Sequence, residues 1–291
     1  MGGKLNKSSL IGWQFVLLPS ALILLFSFYP MIQSFILSFE SGKGNVSEFV
    51  GLGNYSRLLS DPMFRQALYN TILYLIVQVP IMLFLGLIIA HLLNQPNLKF
   101  KGFYRTAIFL PCVTSLVSYS ILFKSMFAVD GIFNKLLMNM HIINEPIAWL
   151  MDPVWARVVI IAAITWRWTG YNMIFYLSAM QNIDPSVYEA ASIDGASKFR
   201  QFFSITIPMV KPIILFTAII STNGTLQLFD EVVNITNGGP GNSTMTISQY
   251  IYNLSFMYTP NFGYAATVSY AIVIIVAVLA FIQMKIGGEK K

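Results

Sequence analysis

The chain has 291 residues, of which 56% are hydrophobic and 10% charged, with mean hydropathy +0.65 and formal net charge +6. A soluble domain carries about 25% charged residues and needs polar cover, so a soluble enzyme, a secreted scaffold and a disordered chain are excluded. The single cysteine, Cys112, excludes an internal disulfide and a cysteine metal cluster.

In chain order, Ser8 to Phe39 is free of acidic and basic side chains over 32 residues, and Gln66 to Leu98 over 33 apart from His91. Thr106 to Phe123 is charge-free over 18 residues. Trp168 to Ile183 is charge-free over 16, with Arg157 and Arg167 interrupting the apolar run before it. Pro212 to Phe229 is charge-free over 18 residues. Val232 to Met284 is charge-free over 53, too long for one helix, and is broken by Asn237-Gly238-Gly239-Pro240-Gly241 and Thr259-Pro260-Asn261-Phe262-Gly263. A bilayer-spanning helix needs about 20 apolar residues. The pattern predicts an all-α polytopic membrane protein with six spans, at about 12–37, 66–93, 106–127, 154–180, 212–233 and 262–284. The first run is too long for a cleaved signal peptide and lacks a small-residue cleavage site.

Basic residues set the orientation of such a chain. With a cytoplasmic N-terminus, 11 of them fall inside: Lys4, Lys7, Lys99, Lys101, Arg105, Lys198, Arg200, Lys211, Lys285, Lys290 and Lys291. Four fall outside: Lys43, Arg57, Arg65 and Lys135. Both termini are therefore expected in the cytoplasm of a multi-pass cell-membrane protein, facing lipid along the spans. The basic residues flank apolar runs without clustering, so no nucleic-acid partner is expected.

The longest connections, about 40–65, 128–153, 181–211 and 234–261, are each near 30 residues, too short for a nucleotide-binding domain. Gly42-Lys43-Gly44 lacks the hydroxyl residue and glycine run of a phosphate loop. His91 and His141 have no carboxylate at ligand spacing, so no metal site and no catalytic residue are expected. Arg167, deep in the fourth span, needs a partner, and Asp230 and Glu231 are the candidates. Ser221, Thr222, Asn223, Gly224, Thr225 and Gln227 form a polar cluster in the fifth span. Such residues face a bundle interior, either for helix–helix hydrogen bonds or for a solute path.

The segment 182–208 reads as a surface element. Asp184 is a good N-cap, Pro185 a good first helical residue, and Gly195, just after Asp194, a good left-handed stop. Ser197 can cap a second short helix that Pro208 and Pro212 close before the fifth span.

Glu189-Ala190-Ala191, Gly195 and Ile205-Thr206-Ile207-Pro208 resemble, with intact spacing, the EAA signature of ABC importer permeases: E-A-A, three residues, G, nine residues, I-x-L-P. Ile207 in place of leucine is the one departure. Val50-Gly51-Leu52-Gly53-Asn54-Tyr55, Trp166-Arg167-Trp168-Thr169-Gly170-Tyr171-Asn172-Met173, Thr236-Asn237-Gly238-Gly239-Pro240 and Phe262-Gly263-Tyr264-Ala265-Ala266 resemble segments of the sugar branch, that of the maltose, glycerol-phosphate and lactose permeases.

The resemblance implies a type I ABC importer permease fold as one domain over 1–291, with a coupling loop at 182–208. It implies half of a pore, paired with a second permease, two cytoplasmic ATPase subunits and an extracellular solute-binding protein that delivers a sugar. Glu189, Ala190, Ala191, Asp194, Gly195 and Pro208 would meet the ATPase. ATP and magnesium would sit on that subunit, with no cofactor on this chain. Ser221 aligns with a serine lining the sugar site of the maltose permease, while Gly224, Thr225 and Leu228 differ from it. Trp168, Gly170, Tyr171, Asn172, Ser221, Asn223, Gly224, Thr225 and Gln227 are the expected substrate-pathway residues. The alternative is an ATP-independent secondary transporter, expected to show matching broken helices in two halves and buried carboxylates.

Overall fold

The structure, a computed structural model, describes residues 7–42 and 48–287. Both chain ends, with Lys4, Lys290 and Lys291, lie outside the described residues, as do Lys43 and Gly44. The described residues form twelve helical elements and one two-stranded antiparallel ladder, Glu40–Ser41 with Glu48–Phe49 (β1, β2).

Helix α1 runs unbroken through Lys7–Ile23, a π-helical turn at Leu24–Phe28 and Tyr29–Leu37. It is followed by α2 (Gly53–Ser60), α3 (Pro62–Asn94), α4 (Lys101–Val113), α5 (Leu116–Met126), α6 (Ile132–Asn139) and α7 (Pro153–Gln181). Then come α8 (Pro185–Ile193), α9 (Lys198–Leu226, with a π-helical turn at Phe202–Thr206), α10 (Asp230–Ile235), α11 (Ile247–Tyr252, continued by a π-helical turn at Asn253–Met257) and α12 (Phe262–Gly287). Five of these are long and apolar enough to cross a membrane, and the bent pair α4–α5 makes a sixth crossing if counted as one.

The π turns of α1 and α9 have a local cause. Pro30 and Pro208 each follow one by two residues. A helical proline lacks the N–H, and its ring displaces the carbonyl four residues back. That carbonyl, of Phe26 or Ser204, falls inside the π turn, whose wider bonding relieves the crowding. Tyr29 N–H accordingly bonds the Leu24 carbonyl, and Ile207 N–H that of Phe202.

Three expected span boundaries are corrected. The span 106–127 is not one helix: α4 and α5 meet at 98°. Thr114 and Ser115 are extended between them, and the Thr114 hydroxyl bonds the Pro111 carbonyl at 2.7 Å, closing the α4 end. The fifth span stops at Leu226, not 233. Gln227 is its cap, and the freed Leu228 carbonyl accepts from the Thr246 hydroxyl at 2.7 Å. At its other end α9 continues through Pro208 and Pro212, so the second short helix of the surface loop is the base of that span.

The chain divides into two compact units. One takes the described residues up to Asp61 with Ile251–Ala271. Within it the buried Asn54 amide donates to the Ser38 and Glu40 carbonyls at 3.0 and 2.8 Å. Gly263 lies directly on the Glu40 carbonyl, where a Cβ has no room. The Arg57 guanidinium covers the Tyr264 ring at 3.9 Å, and the Tyr264 hydroxyl donates to Asp61 at 2.5 Å. These contacts explain why Asn54, Gly263 and Tyr264 occur in recognisable motifs.

The other unit takes Pro62–Tyr250 and the residues from Ile272 on. Its axis is the pairing of α3 with α7. Gly86 admits α7 so closely that an added Cβ would lie 3.3 Å from Asn172 Cβ and the Met173 nitrogen. Leu87, Ala90, Met173, Tyr176, Leu177 and Met180 form the core there, with Phe202 and Val210 of α9 closing it. Tyr74, Ile160 and Ile164 form a second cluster with Leu228 and Val232. A third joins Tyr119 and Phe123 of α5 to Trp149, Val159 and Ala163.

Candidate functional site

The second unit carries a partly open cavity of about 500 Å³. Its wall is formed by α3, α7 and α9, by Leu116 at the head of α5, and by residues 227–231. Of the expected pathway residues, Trp168, Tyr171, Asn172, Ser221, Gly224, Thr225 and Gln227 line it. Their spacing on α7 (168, 171, 172) and α9 (221, 224, 225) puts each set on one helical face.

Two cross-helix pairs brace the wall. Thr225 Oγ1 donates to Gln78 Oε1 at 3.2 Å, joining α9 to α3. Ser221 Oγ lies 3.5 Å from Asn172 Oδ1, joining α9 to α7. Asn172 also donates to the Trp168 carbonyl at 3.1 Å, and the Trp168 and Tyr171 rings meet edge to face at 5.7 Å. The cavity thus presents carboxylate, amide and hydroxyl groups beside aromatic faces, suited to a polyhydroxylated solute with an apolar flank.

Two expected pathway residues do not line the cavity. Gly170 is buried against the α4 main chain, directly on the Ile108 carbonyl, so it serves helix packing. Asn223 is exposed and accepts from Gln227 Nε2 at 2.7 Å. Thr222 is turned to α12, where Gln283 Nε2 donates to its hydroxyl at 2.7 Å.

Arg167, 5% exposed, has partners other than those expected. Its Nη1 donates to the Pro111 and Thr114 carbonyls at 3.1 and 2.9 Å, and its Nη2 to the Cys112 carbonyl at 3.2 Å. The guanidinium also lies 4.7 Å from the Tyr119 ring centre and 5.4 Å from that of Trp168. The last carbonyls of a helix have no internal partners and carry its negative end. The cation is therefore stabilised by the end of α4 rather than by Asp230 or Glu231. Those two carboxylates instead line the cavity, Glu231 at 4% exposure.

The surface loop is built from local caps. Asp184 Oδ1 accepts from Ser186 N at 2.9 Å, which holds its carboxyl below the ordinary aspartate range. Gly195 has φ +78 with open space around it, and Ala196 N donates to the Ala191 carbonyl at 2.9 Å, a left-handed helix stop. Ser197 Oγ accepts from Arg200 N at 3.3 Å. Tyr188 bonds Thr206 at 2.9 Å, and Gln201 Nε2 donates to Ser192 Oγ at 2.9 Å, so α8 is bound to the base of α9. Glu189, Ala190, Asp194 and Pro208 are exposed and Ala191 half-buried. Ile193 and Phe199, 87% and 74% exposed, add an apolar patch that the motif alone does not reveal.

Gln78, Asp230 and Glu231 are the polar and charged cavity residues that sequence reasoning did not assign there. Gln78 carries a signal: it is the one amide between Asn70 and Asn94 in a charge-free run, two residues before Pro80.

Comparison with known proteins places this geometry. A family profile described as binding-protein-dependent transport system inner membrane component matches residues 50–285. A lactose transport system permease protein of Rhizobium radiobacter is 59% identical over 282 residues, covering 96% of this chain and 95% of that protein. An arabinooligosaccharides transport system permease protein of Halalkalibacterium halodurans is 37% identical over 229 residues, covering 78% of this chain and 72% of that protein. The fold superposes with TM-score 0.85 on a bacterial ABC transporter involved in import of the acidic polysaccharide alginate, at 22% identity, covering 97% of this chain and 96% of that one.

Proposed function

This chain belongs to the family of binding-protein-dependent transport system inner membrane components, and from that membership we propose that it forms half of the pore of an ATP-driven importer of a di- or oligosaccharide. It is a multi-pass membrane protein and a transport permease component. The observation that carries the substrate class is the cavity, where the aromatic residues Trp168 and Tyr171 line the wall beside the polar groups of Asn172, Ser221, Thr225 and Gln227. The lactose and arabinooligosaccharide permeases among its relatives support the same class.

In this reading a second permease completes the pore and an extracellular solute-binding protein delivers the sugar. Two cytoplasmic ATPase subunits hold ATP and magnesium and supply the catalysis, while this chain has no catalytic residue. The helix α8, with Glu189, Ala190, Ala191, Asp194 and Gly195, docks on an ATPase subunit. Pro208 lies on the helix through which the docked loop joins the membrane. The exposure of these residues and the bonds from α8 to the base of α9 support that role. The excess of basic residues in one set of loops supports cytoplasmic termini.

Reconstitution tests this. Proteoliposomes with both permeases, the ATPase subunits and the loaded binding protein should accumulate labelled lactose only with internal ATP. Accumulation by the permeases alone under an ion gradient would instead identify a secondary transporter.

A further inference from the structure

The charge of the cavity wall goes beyond its general suitability for a sugar. Asp230 and Glu231 both line it, and no basic side chain does. Glu231 is 4% exposed, so little water screens its carboxylate. Arg167 is not a wall residue: its terminal nitrogens donate to the carbonyls of Pro111, Cys112 and Thr114, so no guanidinium is offered to an anion in the cavity. The remaining polar wall groups, such as Gln78, Asn172 and Ser221, are neutral. An ionised carboxylate only accepts hydrogen bonds, through two oxygens. It matches the hydroxyl donors of an uncharged sugar and repels a second anion, the more strongly in a poorly hydrated site.

We propose that Glu231, assisted by Asp230, is a specificity-determining residue of the pore, which admits uncharged polyhydroxyl solutes and rejects sugars bearing carboxylate, sulfonate or phosphate. This rests on the reading of the cavity as the solute path. Glu231 discriminates by charge, Trp168 and Tyr171 accept the apolar sugar face, and the amides and hydroxyls complete the hydrogen bonding. The discrimination is independent of the delivering protein and acts as a second filter after it.

The test uses the complete transporter, both permeases with ATPase subunits, in lipid nanodiscs without the binding protein, so that only the pore selects. The probes are lactitol and lactobionate, which differ in a terminal hydroxymethyl against a carboxylate. Saturation-transfer NMR reads weak binding of each. The wild-type complex should favour lactitol by about tenfold or more, as like-charge juxtaposition predicts. Glu231→Gln should reduce that ratio to within about threefold, and Asp230→Asn should reduce it less, consistent with its shallower position. Co-purification of the ATPase subunits verifies assembly, and Asp230→Asn carries the comparison if Glu231→Gln does not assemble. Equal binding of the two probes by wild type, or an unchanged ratio in assembled variants, overturns the charge filter alone. Binding of neither probe by wild type overturns the solute-path reading and the filter with it.

Discussion

Arg167 donates to the main-chain carbonyl of Thr114 at 2.9 Å, although 53 positions separate them in the chain. This contact joins a helix break to a helix interior. It completes the cap of α4, where the Thr114 hydroxyl bonds the Pro111 carbonyl and the guanidinium adds donors for Pro111, Cys112 and Thr114. Replacement by methionine would remove the guanidinium from the Cys112 and Thr114 carbonyls, while Pro111 keeps the Thr114 hydroxyl. Removing a charged donor from buried acceptors costs roughly 1–3 kcal/mol. Arg167→Met should lower the thermal stability of the solubilised complex accordingly. Arg167→Lys should recover part of it, because an ammonium reaches fewer of the three carbonyls than a planar fork. Unchanged melting of the methionine variant would show that water takes over the cap.

One turn along α7, Gly170 admits the main chain of Ile108. A Cβ there would overlap the Ile108 carbonyl, and backbone cannot yield as a flexible side chain can. Gly170→Ala should separate α4 from α7 at a cost of about 1–3 kcal/mol. Gly102→Ala on the same α4 meets nothing within 4 Å and should be neutral or slightly stabilising. Comparing the melting temperatures of the two assembled variants checks the assignment of Gly170 to packing.

Ser221→Leu and Thr225→Leu should abolish uptake while the complex still assembles, because each fills the cavity and removes a cross-helix bond. Asn223→Leu should impair uptake far less, since Asn223 does not line the cavity. Lactose accumulation in cells, normalised to membrane content, is the readout. A stronger loss at Asn223 than at Ser221 would place the solute elsewhere on α9.

Glu189→Lys and Gly195→Val should reach the membrane yet uncouple transport. Glu189 is exposed, so the charge reversal alters docking without touching the fold. A β-branched residue at φ +78 is strained by roughly 1–2 kcal/mol and re-aims α8. ATPase pull-down and sugar-stimulated ATP hydrolysis should both fall several-fold. Wild-type values in either variant would make the loop a passive connector.

The Asp184 cap gives a pH dependence of defined sign. The Ser186 N–H bonds the ionised carboxylate and lowers its pKa in the folded loop. The cap therefore contributes fully above the unfolded aspartate value of about 3.9 and is lost as pH falls through the lower folded value. Hydrogen-exchange protection in the first turn of α8, taken relative to the intrinsic rate at each pH, should hold from neutral pH down to that window and then fall. Asp184→Asn should keep the cap but flatten the profile.

These residues also show what could be read from sequence. Asp184, Pro185, Gly195 and Ser197 act within three or four positions of themselves, so cap chemistry reveals them directly. Long charge-free runs reveal α1, α3 and α12, because an apolar run of membrane length has few soluble alternatives. The α4–α5 break is different. Its determinants include Arg167 on a helix far along the chain, and no local pattern near Thr114 reports that donor. The cavity combines both cases. Ser221 and Thr225 stand out as polar residues in an apolar helix, whereas the partnership of Thr225 with Gln78 spans 147 positions. Glu231 looked like a counter-ion for Arg167 because charge counting pairs opposite signs, and main-chain carbonyls are invisible to it.

The unbroken course of α9 has a mechanical consequence. Its 29 residues make a rod of roughly 43 Å. One end carries Lys198 beside the surface loop, and the other carries Gly224 and Thr225 on the cavity wall. A rod of that length, tilted by about 10° at its foot, sweeps its far end through roughly 7 Å, more than one helical turn. Had Pro208 and Pro212 severed it, a push at the foot would be absorbed at the joint. Because the π turn takes up the proline without a break, the chain needs no separate linkage. In the proposed importer, the helix that borders the cavity would also be the crank that reshapes it.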